Sequence, residues 1–386
     1  MKKKLCFLLL YIAPITAAPK LPNFDIWSDN NGVSPDVDAS RLPKVLNFFP
    51  VPVEEECLSD DRRRRGICMN AYECKIEGGT SHGACALGFG VCCVFTATCN
   101  EEIHNNITYF VNPHFPDLSK DMDSCSLTVK KIDPEISQFR LDFIHFNLGQ
   151  PNRKTGVCED DVFVLIGGRR QLKLCGLNSG QHVYFDVENL DSVARIEMKL
   201  GKKAVTRLWE VRVTQIPFTQ RAPVGCLQYH TGTTGTVKTM NFAENGRHLA
   251  DQDYNICIRQ EQEMCSIVYE PCHENAFRIS PNNDEDVIED VGSGEAPESR
   301  ADECSDKVVL PCDSEDLLMP QAVGPGFCTL VHCGESLCPA GENPCRIESS
   351  ITPFVIGVHF GSSVGESPPD DNLGMCLNYE QMPCNV

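Results

Sequence analysis

Short stretches in which apolar and polar residues alternate dominate the middle of this 386-residue chain. Phe139, Leu141 and Phe143 alternate with Arg140 and Asp142, so one face of an extended segment is apolar and the other wet. The phase slips by one at Phe143-Ile144 and resumes as Ile144, Phe146 and Leu148, which predicts a β-bulge. Residues 161–166 form an apolar run that opens on Asp161 and is followed by Gly167-Gly168, the pattern of a strand buried on both faces. Residues 181–187 alternate again, and residues 207–214 read as the last strand of the group before Pro217 and Pro223. Short strands separated by turn residues predict an antiparallel sandwich rather than helices.

Cysteine changes this picture most. The chain has 23 cysteines, and setting aside Cys6 in a leader-like segment leaves an even number. That count implies a disulfide framework made in an oxidising compartment. Residues 1–17 have the form of a signal peptide: Lys2, Lys3 and Lys4, then an apolar core too short to span a bilayer, then small residues. Export to the extracellular space is the expected localisation. Residues 18–56 carry six prolines and no periodicity, the composition of an extended linker. A net charge of −20 argues against nucleic acid and anionic membrane surfaces as partners.

Two further stretches stand apart. Residues 57–93 hold six cysteines among six glycines and little apolar mass, so bridges must hold them together. Six cysteines allow 15 pairings, and spacing does not choose among them. Residues 282–303 carry nine acidic residues against one arginine, the make-up of a charged loop without a core.

Cys99 and Cys125 about a strand pair apart, Asn112-Pro-His-Phe-Pro116 between them, the Cys-x-x-Asp at Cys158 to Asp161 and Cys175-Gly176 resemble a CUB domain. That family is a secreted, jelly-roll-like β-sandwich used for binding proteins and sugars. The resemblance implies disulfides Cys99–Cys125 and Cys158–Cys175 in a domain spanning residues 99–215. Residues 226–386 resemble a second, more divergent CUB unit, with Cys226–Cys257 and Cys304–Cys333 in the corresponding places. The six-cysteine unit, ending in the doublet Cys92-Cys93, resembles the arthropod clip domain. That resemblance implies Cys57–Cys92, Cys68–Cys85 and Cys74–Cys93. The fold expected is all-β: a small cysteine-rich knot followed by two CUB-type sandwiches. The whole order is similar to that of insect secreted CUB-domain proteins. The remaining cysteines fall outside the family pattern, and nearness in sequence suggests Cys265–Cys272, Cys312–Cys328, Cys338–Cys345 and Cys376–Cys384.

Catalytic signatures are sparse. Gly361-Ser-Ser-Val-Gly365 matches a nucleophile elbow, but Pro368 and Pro369 follow too soon for the helix that motif needs. The chain is therefore expected to be no enzyme. Many CUB domains hold Ca²⁺ through a Glu, the Asp of the Cys-x-x-Asp turn and a later Asp, oxygen ligands that suit a hard cation. The resemblance implies Asp161 and Asp191 as ligands here. The Glu position reads Leu148-Gly149-Gln150, so calcium is expected to bind weakly if at all. Asp306 offers the corresponding turn residue in the second unit. Asn106-Ile-Thr108 is an N-glycosylation sequon, and Ser293-Gly294 within the acidic stretch is a candidate glycosaminoglycan attachment site. Four arginines at 62–65 make Arg65 a candidate processing site for a furin-like convertase. These features predict a non-catalytic extracellular binder of a protein or glycan. The alternatives are an accessory factor of clip-type protease cascades and a small proteoglycan core.

Overall fold

The computed structural model describes residues 56–119, 122–167, 171–187, 193–202, 206–243, 246–279, 304–311, 330–338, 344–362 and 372–384. The cysteine-rich stretch forms strands β1 (Glu56–Leu58) and β2 (Arg65–Met69), helix α1 (Ala71–Ile76), and strands β3 (Thr80–Cys85) and β4 (Gly90–Ala97). Asn70 caps α1 by accepting the Tyr72 N–H, one of the donors a helix start leaves unpaired. Successive residues of a strand face opposite ways. Cys92 and Cys93, adjacent in β4, therefore bond partners on opposite sides, Cys57 in β1 and Cys74 in α1. Cys68 bonds Cys85. A side chain at Gly79 would collide with the Cys93 sulfur, so only glycine fits that close approach.

The first sandwich adds β5 (Glu101–Ile103), β6 (Ile107–Val111), β7 (Ser124–Val129), β8 (Ile136–Asn147), β9 (Val162–Ile166), β10 (Leu172–Leu174), β11 (His182–Asp186), β12 (Ala194–Lys199) and β13 (Leu208–Pro217). One sheet runs β10-β9-β12-β7-β5; the other runs β1-β2-β4-β6-β13-β8-β11, with β3 also on β4. The knot is thus no separate bead. Its last strand continues through Ala97 and pairs in parallel with β6, so residues 57–93 and 99–215 share one sheet. The boundary expected near residue 94 is invisible in the backbone because Val94 and Phe95 keep the apolar pattern of a buried strand.

Between the sheets lie Phe143, Phe146, Phe163 and Trp209, all buried. The three phenylalanine rings meet pairwise with centroids 4.7–5.8 Å apart. Tilted contacts of this kind add about 0.5–1.5 kcal/mol each beyond the area they bury. The predicted bulge is present: Glu210 faces His145 and Val211 faces Phe143, leaving Ile144 extra. Ile144 turns to the opposite face and packs with Ile67, Val94, Ile107, Tyr109 and Val111, a second small core that seats the knot. Cys99 is bonded to Cys125 and Cys158 to Cys175.

The second sandwich comprises β14 (Cys226–His230), β15 (Thr234–Lys238), β16 (Gln252–Ile258), β17 (Met264–Pro271), β18 (Phe277–Arg278), β19 (Lys307–Val309), β20 (Val331–His332), β21 (Ile347–Ser349), β22 (Phe354–Phe360) and β23 (Gly374–Pro383). Its sheets run β14-β16-β22-β19-β20 and β15-β23-β17-β21, with β18 on β23. Cys226 bonds Cys257, Cys304 bonds Cys333 and Cys338 bonds Cys345. The pairing by nearness fails for four others. Cys265 bonds Cys384 and Cys272 bonds Cys376. The reason is topological. β17 and β23 are antiparallel, so the start of one lies beside the end of the other, and each bond crosses between strands. Cys312 and Cys328 lie outside the described residues.

The two sandwiches meet in a seam built largely from amides. Asn241, buried with left-handed φ of 60°, donates its N–H to Asn178 Oδ1 at 2.7 Å and accepts the Leu177 N–H at 2.8 Å. Its Nδ2 reaches Gln150 Oε1 at 3.1 Å and the Arg247 carbonyl at 2.8 Å. Gly176 has φ of 75°, and any Cβ there would strike the Asn241 amide. One apolar cluster runs continuously from Phe163 and Trp209 in the first sandwich to Ile256 and Phe354 in the second.

Peptide mapping without reduction should recover Cys265 with Cys384 and Cys272 with Cys376. In the loop-closure model each long crosslink removes on the order of 4–5 kcal/mol of unfolded-chain entropy. Recovery of Cys265 with Cys272 instead would contradict the β17–β23 pairing.

Candidate functional site

Asp161, at the entrance to β9, is a buried acid whose two oxygens each accept two hydrogen bonds. The Gly149 and Gly201 N–H groups donate to its two oxygens at 2.8 and 2.9 Å. Arg207 completes a two-pronged contact, Nε to Oδ2 and Nη2 to Oδ1, each at 2.8 Å, with both side chains out of water. Burial alone would raise the Asp161 pKa, but the Arg207 and backbone hydrogen bonds outweigh it and hold the carboxyl below its ordinary 3.8. The second sandwich repeats the plan with other residues. Asp306 accepts the Gly361 N–H at 2.7 Å, and the buried His248 places Nε2 3.3 Å from its second oxygen. The His248 ring lies on Phe360, with centroids 4.1 Å apart.

The Asp161 oxygens are already filled by groups of the protein. A cation needs carboxylate lone pairs directed at an open position. At Asp161, the turn acid that the CUB resemblance implied as a calcium ligand, both oxygens are taken by the Arg207 guanidinium and two backbone amides. Asp191 lies outside the described residues. No three histidine, cysteine or acidic side chains converge as a metal site among the described residues. His248 is buried, with Nε2 3.3 Å from Asp306 and Nδ1 3.3 Å from the Leu249 carbonyl. Ser363 and Gly365 of the elbow-like motif lie outside the described residues, as does Ser293.

Two residues of the arginine run, Arg64 and Arg65, make defined contacts. Arg65 opens β2, donates its N–H to the Tyr109 hydroxyl at 2.6 Å and pairs with Glu56 at 2.9 Å. Arg64 meets Glu210 at 2.7 Å and lies over the rings of Tyr109 and Phe115, 5.0 and 5.7 Å from their centroids. Ser59 and Arg64 exchange backbone and hydroxyl hydrogen bonds across the turn. A convertase must hold its substrate extended, and this turn is pinned at both ends. Arg65, the candidate processing site, is an exposed residue at the start of β2. Asn106 sits half-buried before β6, its carbonyl accepting the Gln215 N–H at 2.9 Å, while Thr108 of the sequon points inward.

Where knot and sandwich join, the surface opens into a crevice of about 390 Å³. Arg64, Thr96, Val111, Asn112, His114 and Phe115 line it, and its walls are mostly apolar. Asn112 shapes the rim from within. Its Oδ1 accepts the Trp209 N–H, and its Nδ2 donates to the carbonyls of Pro113 and Asp117 at 3.0 and 2.8 Å. The Asn-Pro-His-Phe-Pro loop is thereby held with His114 in the left-handed region, φ of 63°, and its imidazole exposed. Such a crevice can take an apolar side chain beside a hydrogen-bonding imidazole. Nothing in the sequence pointed to it, because its walls come from three separated stretches.

Residues 223–382 match the animal CUB domain family, so a CUB domain occupies the second sandwich. No curated protein matches the chain in sequence. Among solved structures, the CUB1-EGF-CUB2 domains of rat MASP-1 cover 74% of the chain and all of their own length, at 13% identity and a TM-score of 0.26. The same domains of human MASP-1/3 cover 72% of the chain and all of their own, at 15% identity and a TM-score of 0.25. The extracellular region of zebrafish Gpr126/Adgrg6 covers 73% of the chain and 36% of its own, at 13% identity and a TM-score of 0.27.

Replacing Arg207 by Met should leave the Asp161 charge buried without its partner and cost about 3–5 kcal/mol in urea unfolding at neutral pH. In the wild type the contribution of Asp161 is present above its ordinary 3.8 and is lost as pH falls below it. Millimolar Ca²⁺ should leave the melting temperature of the wild type unchanged. A calcium-dependent rise that Asp161→Asn abolishes would contradict the assignment.

Proposed function

We propose that this protein is a secreted, non-catalytic binding protein that holds an extracellular protein or glycan through the loop ends of its sandwiches. CUB domains mediate protein interactions in extracellular proteins, and one is present here. The dense disulfide framework suits an oxidising, extracellular setting. The observation that carries the reading is the Asn112-supported loop: a rigid rim with an exposed imidazole beside a preformed, mostly apolar crevice. Preformed geometry lowers the ordering cost of association. Filling each buried acid with a side chain of the protein leaves shape and hydrogen bonding, not a metal, to recognise the partner.

A second reading has its own support. The knot presents Leu58, Tyr72, Ile76, Leu87 and Phe89 to solvent, Leu87 wholly so and with φ of 57°. Exposed apolar side chains held in a bridged frame suit docking, and the clip-like pattern makes an accessory role in a protease cascade the alternative.

Binding of the full-length secreted protein to an array of extracellular proteins and glycans distinguishes these. A saturable partner is expected whose affinity ignores a calcium chelator and falls about tenfold or more with Phe115→Ala, the scale of losing one buried aromatic anchor. Loss with Leu87→Asp but not with Phe115→Ala would select the second reading. Abolition by chelator would contradict the proposed mode of recognition.

A further inference from the structure

Two histidines face each other across the seam between the sandwiches. His182 comes from β11 and His230 from β14, with ring centroids 4.8 Å apart and both rings largely covered. His182 Nε2 lies 2.9 Å from the Tyr229 carbonyl oxygen and 3.1 Å from the Tyr229 nitrogen. A neutral ring serves one or the other according to its tautomer. A protonated ring can only donate, which leaves the Tyr229 N–H facing a donor. His230 lies 3.3 Å from Gln228 Oε1, and Gln228 in turn donates to Gln181 Oε1 back across the seam.

The charged surroundings give little relief to an added proton. Arg140 and Asp142 of β8 stand beside His182, but Asp142 is already engaged by both Arg140 and Arg212. Tyr184 of β11 packs edge-on to His182 and hydrogen-bonds Arg140. Past β16, Arg259 donates its N–H to the His230 carbonyl, while its guanidinium is paired with Glu261. Around the pair the seam is otherwise bridged by uncharged amides, Asn178, Gln181, Gln228 and Asn241.

We propose that the His182–His230 pair makes the joint between the two sandwiches acid-sensitive, closed at neutral pH and loosened when either imidazole is protonated. Burial comes first in keeping both rings neutral, with Arg140 adding to it at both and His182 at His230; each is depressed from 6.5 to about 4. The sign follows. The open joint, with wet imidazoles, binds more protons than the closed one between these two values, so closure weakens as pH falls through that window. Each ring holds its proton on the order of a hundredfold more tightly when the joint is open.

Two measurements on the intact chain decide the matter. Exchange of the imidazole Cε1 hydrogens, followed by mass spectrometry, should give midpoints for His182 and His230 at least about one unit below the ordinary value. A midpoint at or above 6.5 for both would overturn the proposal. Backbone amide exchange, corrected for its intrinsic pH dependence, should lose about tenfold or more protection at residues 177–184 and 226–241 between about pH 7.4 and 5, while β9 and β22 keep theirs. The double variant His182→Gln/His230→Gln should show no such change. Equal protection at both pH values in the wild type, or the same loss in the variant, would overturn it.

Discussion

Asn241 is the residue on which the arrangement of this molecule depends. It is out of water, in a backbone region that only Gly, Asn and Asp visit readily, and its amide and backbone make four hydrogen bonds. Three of them reach Leu177, Asn178 and Gln150 in the other sandwich. Each broken bond would strand a buried donor or acceptor at a cost of about 1–3 kcal/mol, so the two sandwiches hold one relative position. Gly176 supplies the space that lets the Asn241 amide approach.

The same physics closes every other boundary in the described chain. The knot is bound to the first sandwich by the β4–β6 ladder and by Arg64, which is caught between Glu210 and two rings. Asp161 and Asp306, acids that could have faced solvent or a metal, are turned inward onto Arg207 and His248. What remains for recognition is the outer relief: a crevice at the knot junction and a loop stiffened by Asn112. A binding surface of this kind is shaped by buried hydrogen bonds some distance from the contact itself.

The strands of the first sandwich were legible because alternation is a local property: residues 139–148 announce both the strand and the bulge that Ile144 makes. Cysteine positions disclosed that a disulfide framework exists, but that Cys92 and Cys93 sit on opposite faces of one strand emerged only from the fold. Long-range pairings were not legible. Cys265 and Cys272 sit close in sequence, yet antiparallel pairing sends each across to β23. Arg207 gave no sign of being the partner of Asp161, because 46 residues separate them and only the fold brings them together. The Tyr109 hydroxyl that accepts the Arg65 N–H lies 44 residues away, a contact no local pattern discloses. The animal CUB match falls on residues 223–382, the part whose cysteines depart furthest from the expected spacing.

If the amide seam and the β4–β6 ladder make knot and sandwiches one body, they must melt together. Differential scanning calorimetry of the full chain at neutral pH is the direct measurement. One transition is expected, with calorimetric and van't Hoff enthalpies in agreement, and Asn241→Leu should resolve it into two. Two separate transitions in the unaltered protein would contradict the account.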